Sequence, residues 1–214
     1  MAQESTTTTA SAYTNGHAKS DVAIDAVGTP ESFSKLCIEL RRKVTAFLDE
    51  PTEDDTIKHT QKQTKISLQV VEDALKRYSF EELSLSYNGG KDCLVLLIII
   101  LACLPTLKSQ TSASTDTVDT SGSIPRLQAM YIAPSDPFTE VEKFVTLTTA
   151  QYHLNLKRYA LPMRAALDAY LEDEKSVKAI FMGTRRTDPH SESLLHFSPT
   201  DPGWPQFMRI NPML

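Results

Sequence analysis

The chain has 214 residues, 41% hydrophobic and 23% charged, with only 7 glycines. That suffices for one core of ordinary size, with residues left over for tails. Its 22 basic and 27 acidic side chains leave a formal charge of −5, which excludes a basic field able to hold a long nucleic acid by its phosphates. A small anionic substrate needs only a few well-placed cations and is not excluded. Cys37, Cys93 and Cys103 fit neither a disulfide framework nor a zinc spacing, so a reducing compartment is expected. The opening MAQESTTTTA lacks the basic and apolar regions of a secretory signal and has no arginine. The longest apolar run, Cys93 to Leu104, falls short of the about 20 residues of a membrane span. A cytoplasmic monomer without membrane or nucleic-acid partners is expected.

Residues 1–28 are rich in Thr, Ser and Ala without periodicity, the composition of a disordered tail. Residues 29–214 are expected to form one domain. Pro30 suits a first helical residue, and Phe33, Leu36, Cys37, Leu40, Val44, Phe47 and Leu48 recur at helical steps. The acidic stretch 49–55 interrupts them. A second helix follows with Ile66, Val70, Val71, Ala74, Leu75 and Tyr78 on one stripe. LSLSY (83–87) then reads as a strand, NGGKD as a tight turn, and 93–104 as a buried helix ending before Pro105. Residues 108–125 hold almost no large apolar group and predict a flexible surface insertion.

Alternation resumes with a strand at 127–132 and a helix from near Pro137 bearing Phe138, Val141, Phe144, Val145 and Tyr152. A strand follows at 154–159, then a helix opened by Pro162 with Met163, Ala166, Leu167, Tyr170 and Leu171 on one side. A last strand at 177–183 ends on Gly183. Strands alternating with helices predict an α/β fold: a Rossmann-like parallel sheet with helices on both faces, preceded by two amphipathic helices. Beyond Thr184 regular periodicity stops, and five prolines fall within thirty residues. A long irregular segment carrying Trp204 and Arg185, Arg186 and Arg209 suggests function rather than filler.

In parallel sheets, ligands bind beyond the carboxyl ends of the strands. Two glycine turns are expected there, SYNGGKDC (86–93) and GTRRTDP (183–189). In the first, Gly89 and Gly90 can bring bare N–H groups to an anion, the following helix adds its dipole, and Lys91 adds a charge. The Walker pattern is absent. A plain turn without ligand, and a solvated pair of arginines in the second motif, are the bland alternatives. His153 is expected to be structural, while His190 and His196 show no metal spacing. Cys93 at a helix start suggests a lowered pKa.

The first motif resembles the pyrophosphate loop of the ATP pyrophosphatase and phosphoadenylylsulfate-reductase-like superfamily, with Asn88 and Cys93 in place of its two serines. Together with FMGTRRTDPH (181–190) and FSPTDPGWPQFMRINPML (197–214), it resembles the eukaryotic, chiefly fungal, FAD synthases over roughly residues 30–214. The resemblance implies adenylyl transfer from ATP to FMN, giving FAD and pyrophosphate, with Mg2+. It implies Asn88, Lys91, Asp92, Arg185 and Asp188 as catalytic residues and Asp92 with Asn88 as the metal ligands. The implied nucleotide- and flavin-binding set is Leu85, Asn88, Gly89, Gly90, Ile132, Gly183, Thr184, Arg185, Arg186, Thr200, Asp201, Pro202 and Trp204. Asp188 belongs by resemblance to the phosphate side, and Asp201 with Trp204 to the flavin side. The family continues past RINPML with further helices, so a C-terminally shortened form is expected, one that binds ATP but turns over FMN poorly. Three rivals stand beside it. They are a phosphoadenylylsulfate-type reductase, another ATP pyrophosphatase, and a non-catalytic nucleotide- or flavin-binding protein.

Overall fold

The computed structural model describes residues 30–111 and 126–214. The expected tail, 1–28, and most of the expected insertion, 112–125, lie outside the described residues. Two long helices come first, α1 (Pro30–Asp49) and α2 (Asp55–Arg77). Their apolar residues follow the expected stripes, with Phe33, Cys37 and Leu40 buried on α1 and Val70, Val71, Ala74 and Leu75 on α2. The acidic break between them acts as a cap. The Asp54 carboxylate accepts the N–H groups of Thr56 and Ile57 at 2.7 and 3.2 Å, satisfying donors that the first turn leaves open. Gln61 Nε2 donates to the carbonyls of Phe47 and Glu50, both at 2.8 Å, and holds the corner closed.

The remaining elements are β1 (Leu83–Ser86), α3 (Lys91–Thr111), β2 (Gln128–Ile132), α4 (Thr139–Gln151), β3 (Asn155–Tyr159), α5 (Met163–Asp173), β4 (Ala179–Phe181), β5 (Phe197–Pro199) and β6 (Met208–Ile210). The six strands order as β3-β2-β1-β4-β6-β5. All neighbours are parallel except β5, which runs against β6. The chain winds outward from β1 to β2 and β3, then returns to β4 on the other side of β1. The switch point therefore lies between β1 and β4, where a crevice opens beyond the strand ends.

The two faces of the sheet follow the strand alternation. Leu83, Leu85, Ala129, Tyr131, Ala179, Phe181 and Ile210 face the main core with α1, α2, α3 and Val145 of α4. Met130 and Ile180 face the other way, toward Leu167 and Tyr170 of α5. Ser84 shares that face, where its hydroxyl meets the Tyr170 hydroxyl at 2.6 Å. Helix α3 is buried nearly all round because it lies between the sheet and the α1–α2 pair. Each fully buried Leu or Ile there contributes about 1.5–3 kcal/mol.

Four expectations change. Helix α3 does not stop before Pro105 but continues through it to Thr111. A proline inside a helix costs about 3 kcal/mol, and here the buried turns from Leu96 to Cys103 offset it. The Ala102 carbonyl, in the turn the proline disturbs, accepts Arg41 Nη1 at 3.3 Å. On α4 the buried face is Val145 and Thr148 with Val141 and Tyr152 half-buried, while Phe138 and Phe144 are exposed. Phe138 precedes the helix in an extended conformation, so it falls out of helical phase, and Phe144 sits one residue round from Val145. Met163 is exposed at the first position of α5, one turn before its buried stripe begins. The irregular segment after Thr184 contains β5 and β6, three residues each, too short to show a period.

His153 terminates α4 in the left-handed region at φ 54° and packs edge-on against Phe33, ring centroids 5.5 Å apart. Its structural assignment stands. Burial, then the charge of Arg126, lowers its pKa. The unfolded chain therefore takes up the proton first as pH falls through about 6.5, and stability complete above that value is lost toward the lowered folded value. In His153→Asn, which keeps a left-handed-tolerant residue, the thermal midpoint should fall less between pH 7 and pH 5 than in the parent. Equal falls would remove His153 from the linkage.

Candidate active site

The loop after β1 forms the first wall of the crevice. Tyr87 N–H donates to the Met130 carbonyl at 2.9 Å, continuing the ladder by one residue. Asn88 Oδ1 then accepts the Gly90 N–H at 2.9 Å, which folds the loop back on itself. Gly89 is required twice over. Its φ is +72°, and a Cβ there would lie 2.6 Å from Val145 Cγ2 of α4. Helix α3 begins directly afterwards, with Leu94 N–H bonded to the Gly90 carbonyl at 3.0 Å. The open N–H groups of its first turn thus look into the crevice, with Lys91 exposed and Asp92 half-buried beside them.

The second wall comes from β4. A Cβ on Gly183 would lie 3.0 Å from Cys93 Sγ, so the glycine lets the end of β4 run against the first turn of α3. That contact brings Arg185 over the loop. Its Nη2 lies 3.6 Å from Asp92 Oδ2 and 3.5 Å from Asp188 Oδ1. Asp188 Oδ2 also accepts the Arg185 backbone N–H at 2.9 Å, and the Asp188 N–H returns to the Arg185 carbonyl at 3.0 Å. Asp188 thus braces Arg185 by backbone and side chain together.

Several expected residues take other places. Arg186 borders the same cleft as Arg185 and Asp92, while its Nη1 donates to the carbonyls of Ser191, Glu192 and Leu194 at 2.8, 3.3 and 2.9 Å. Through that one nitrogen it shapes the 183–194 loop. Asn88 gives one lone pair of its side-chain oxygen to the loop itself through the Gly90 N–H. Leu85 is wholly buried, paired with Ala129 and Phe181 in the middle of the sheet, and is core. Thr184 is half-buried between Gly183 and Arg185. Ile132 ends β2. Residues of a parallel strand bond alternately to either neighbour, and Met130 bonds toward β1, so the Ile132 backbone also faces that side, beyond the last rung at Tyr87.

Thr200, Asp201, Pro202 and Trp204 are not brought to this crevice. Strand β5 descends, so Pro199 pairs with Met208, which stands level with Ala179 and Leu83 at the strand beginnings. The 200–207 loop therefore lies at the amino edge of the sheet, and the glycine loop lies beyond the carboxyl edge. Asp201 is exposed and accepts Arg209 Nη2 at 3.2 Å, while the same nitrogen holds the Pro199 carbonyl at 2.7 Å. Trp204 is 38% exposed.

Sequence reasoning missed α2. A cleft of about 600 Å3 opens between α2 and the first turns of α3, lined by His59, Gln63, Asp92, Arg185, Arg186 and Met213 among others. The polar residues of α2 at 59, 63 and 64 lie before its apolar stripe and carry no motif. The tail reaches this wall because the Ser67 hydroxyl donates to the Pro212 carbonyl at 2.9 Å.

The phosphoadenosine phosphosulfate reductase domain matches residues 82–177. A probable FAD synthase of Schizosaccharomyces pombe is 37% identical over 154 residues, 72% of this chain and 55% of the relative. The flavin adenine dinucleotide synthase of Saccharomyces cerevisiae is 37% identical over 142 residues, 62% of this chain and 46% of the relative. Candida glabrata FMN adenylyltransferase, solved with FMN and an ATP analogue, superposes with a TM-score of 0.73 at 30% identity, covering 86% of this chain and 61% of that one. The chain is a homologue of the fungal FAD synthases. It spans about half the length of these two curated relatives. Yeast FAD synthetase, solved with FAD, gives a TM-score of 0.74 at 31% identity over 85% of this chain and 63% of its own.

The reductase rival needs a reactive thiol, and the thiols of this homologue are poorly suited to that role. Cys37, Cys93 and Cys103 are all buried. Burial raises the Cys93 pKa, outweighing the lowering by backbone N–H groups near Asn88 and Gly183, so the lowered value expected at a helix start does not arise. Burial pushes Cys103 to about 12. Both stay protonated near neutral pH and are weak nucleophiles.

Proposed function

We propose that the chain is an FMN adenylyltransferase in the cytoplasm, acting as a monomer on ATP and FMN. The observation that carries this reading is the Asp92–Arg185–Asp188 bridge held over the glycine loop at the sheet's switch point. In the reaction a phosphate oxygen of FMN attacks the α-phosphorus of ATP. That P–O bond forms as the bond to the β-phosphate breaks, and pyrophosphate leaves. Little covalent work falls to the protein, so positioning and charge neutralisation carry the catalysis.

The N–H groups of Gly89, Lys91 and Asp92, with the Lys91 side chain, hold the leaving pyrophosphate, the Gly90 N–H being held by Asn88. Arg185 faces the phosphate shared by the two substrates, kept in place by Asp188. The Ile132 backbone reads the adenine edge. Magnesium suits this site: Asp92 is a half-exposed carboxylate, and magnesium commonly takes one or two carboxylates beside substrate phosphates. When bound, it would neutralise charge on the phosphates. Asp201 and Trp204 are assigned to the flavin by motif, not by nearness to the loop.

The test is to mix the purified chain with FMN, labelled ATP and magnesium. FAD and pyrophosphate should appear in equal amounts. ATP binding without FAD would refute the transferase and leave a nucleotide-binding protein. In the same assay, Asp201→Ala should raise the FMN requirement about tenfold and leave the ATP requirement within twofold, the scale of one charge-assisted contact. The reverse order would remove Asp201 from the flavin side.

A further inference from the structure

The glycine loop has little rigidity of its own beyond the Asn88–Gly90 bond, since Asn88 and Gly90 are exposed and two of its residues are glycines. Its position must come from its neighbours, and α4 supplies it at two points. Gly89 rests against Val145, with Val141 also in van der Waals range. One residue earlier, Tyr87 is 1% exposed and its hydroxyl lies 2.7 Å from Thr148 Oγ1. Thr148 is itself buried, and its hydroxyl bonds the Phe144 carbonyl at 2.7 Å. A carbonyl can only accept, so the Thr148 proton goes to Phe144 and the Tyr87 hydroxyl must be the donor to Thr148. The relay runs Tyr87 O–H to Thr148 O–H to the Phe144 carbonyl. Helix α4 is in turn fixed to the sheet from its other end: Glu142 accepts the Tyr131 hydroxyl at 2.5 Å and pairs with Arg158 of β3.

We propose that Tyr87 and Thr148 are positioning residues that seat the glycine loop against α4, holding its N–H groups where a nucleotide's phosphates bind. The second half rests on the adenylyltransferase reading, and the first does not. Neither residue touches substrate. Burial raises the Tyr87 pKa, which keeps the phenol a donor across the working range.

The experiment uses the full 214-residue chain in five forms: parent, Tyr87→Phe, Thr148→Val, Thr148→Ser and the double Tyr87→Phe/Thr148→Val. Amide exchange at 88–92 is measured without ligand, and magnesium-ATP affinity is measured on the same folded samples. In Tyr87→Phe the loop amides should exchange about threefold to tenfold faster and ATP affinity should fall by a similar factor, the scale of one hydrogen bond. Thr148→Val, which strands the tyrosine donor, should be the more affected single variant. Thr148→Ser should match the parent. The double variant should be no worse than Thr148→Val, because the two side chains act as one unit. Loop exchange in Tyr87→Phe equal to the parent overturns the proposal, as does faster exchange everywhere with a lowered melting midpoint. If the parent fails to bind ATP, the adenylyltransferase reading falls, while loop exchange still decides the seating.

Discussion

Gly89→Ala is expected to abolish ATP binding and to lower stability by about 2–4 kcal/mol, the combined scale of left-handed strain and overpacking. Two separate costs meet at this position. The φ of +72° disfavours any Cβ, and that Cβ would sit 2.6 Å from Val145 Cγ2. Since Val145 is wholly buried, the clash cannot be relieved by swinging a side chain into water, and the loop must lift from α4 instead. The two costs can be separated. In a Val145→Ala background the same substitution should lose less, because the steric part disappears while the backbone part stays. Isothermal titration with ATP and thermal melts report both quantities. An alanine variant that binds ATP normally would show that the loop does not use this seat.

Asp92→Ala should cut FAD formation by about a hundredfold to a thousandfold, the scale seen when one transition-state electrostatic contact is removed. The melting midpoint should move little. Asp92 is a half-exposed carboxylate in the first turn of α3, where a favourable dipole contact contributes about 0.3–1 kcal/mol. The loss should therefore appear in turnover rather than in folding. Asp92→Asn keeps the size and still removes the charge, so it should lose nearly as much. Single-turnover rates within threefold of the parent would take Asp92 out of the charge-neutralising role.

The sheet and its helices were legible because α1 and α2 carry long, regular apolar patterns and short apolar strands alternate with helices after them. The glycine loop was legible for a different reason, since Gly89, Gly90 and Asp92 stand at fixed spacing between a strand and a helix. What stayed hidden is pairwise and distant in sequence. Nothing local says that Val145 abuts Gly89 or that Thr148 accepts Tyr87, because those contacts exist only once α4 has docked. Arg186 was read with Arg185 as one pair, yet Arg185 meets carboxylates of Asp92 and Asp188 while Arg186 Nη1 is spent on backbone carbonyls of its own loop. Their difference lies in which carbonyls the 183–194 loop turns inward, a property no spacing encodes. Pro105 misled in the opposite way. Its usual meaning as a helix stop yields where the surrounding turns are deeply buried. Strands β5 and β6 were missed because three residues give one alternation at most, and their antiparallel return sends Asp201 to the far edge.

That return leaves the sheet with two rims that resist growth. On one side β5 has three residues and ends in Pro199, which has no N–H and whose carbonyl is already held by Arg209. On the other, β3 bears Lys157, bound to Glu174 at 2.8 Å, and Arg158, bound to Glu142. Strand addition at either rim would meet a missing donor or crowd charges that are already paired. Among the described residues, both rims of the sheet are thus poor templates for a further strand.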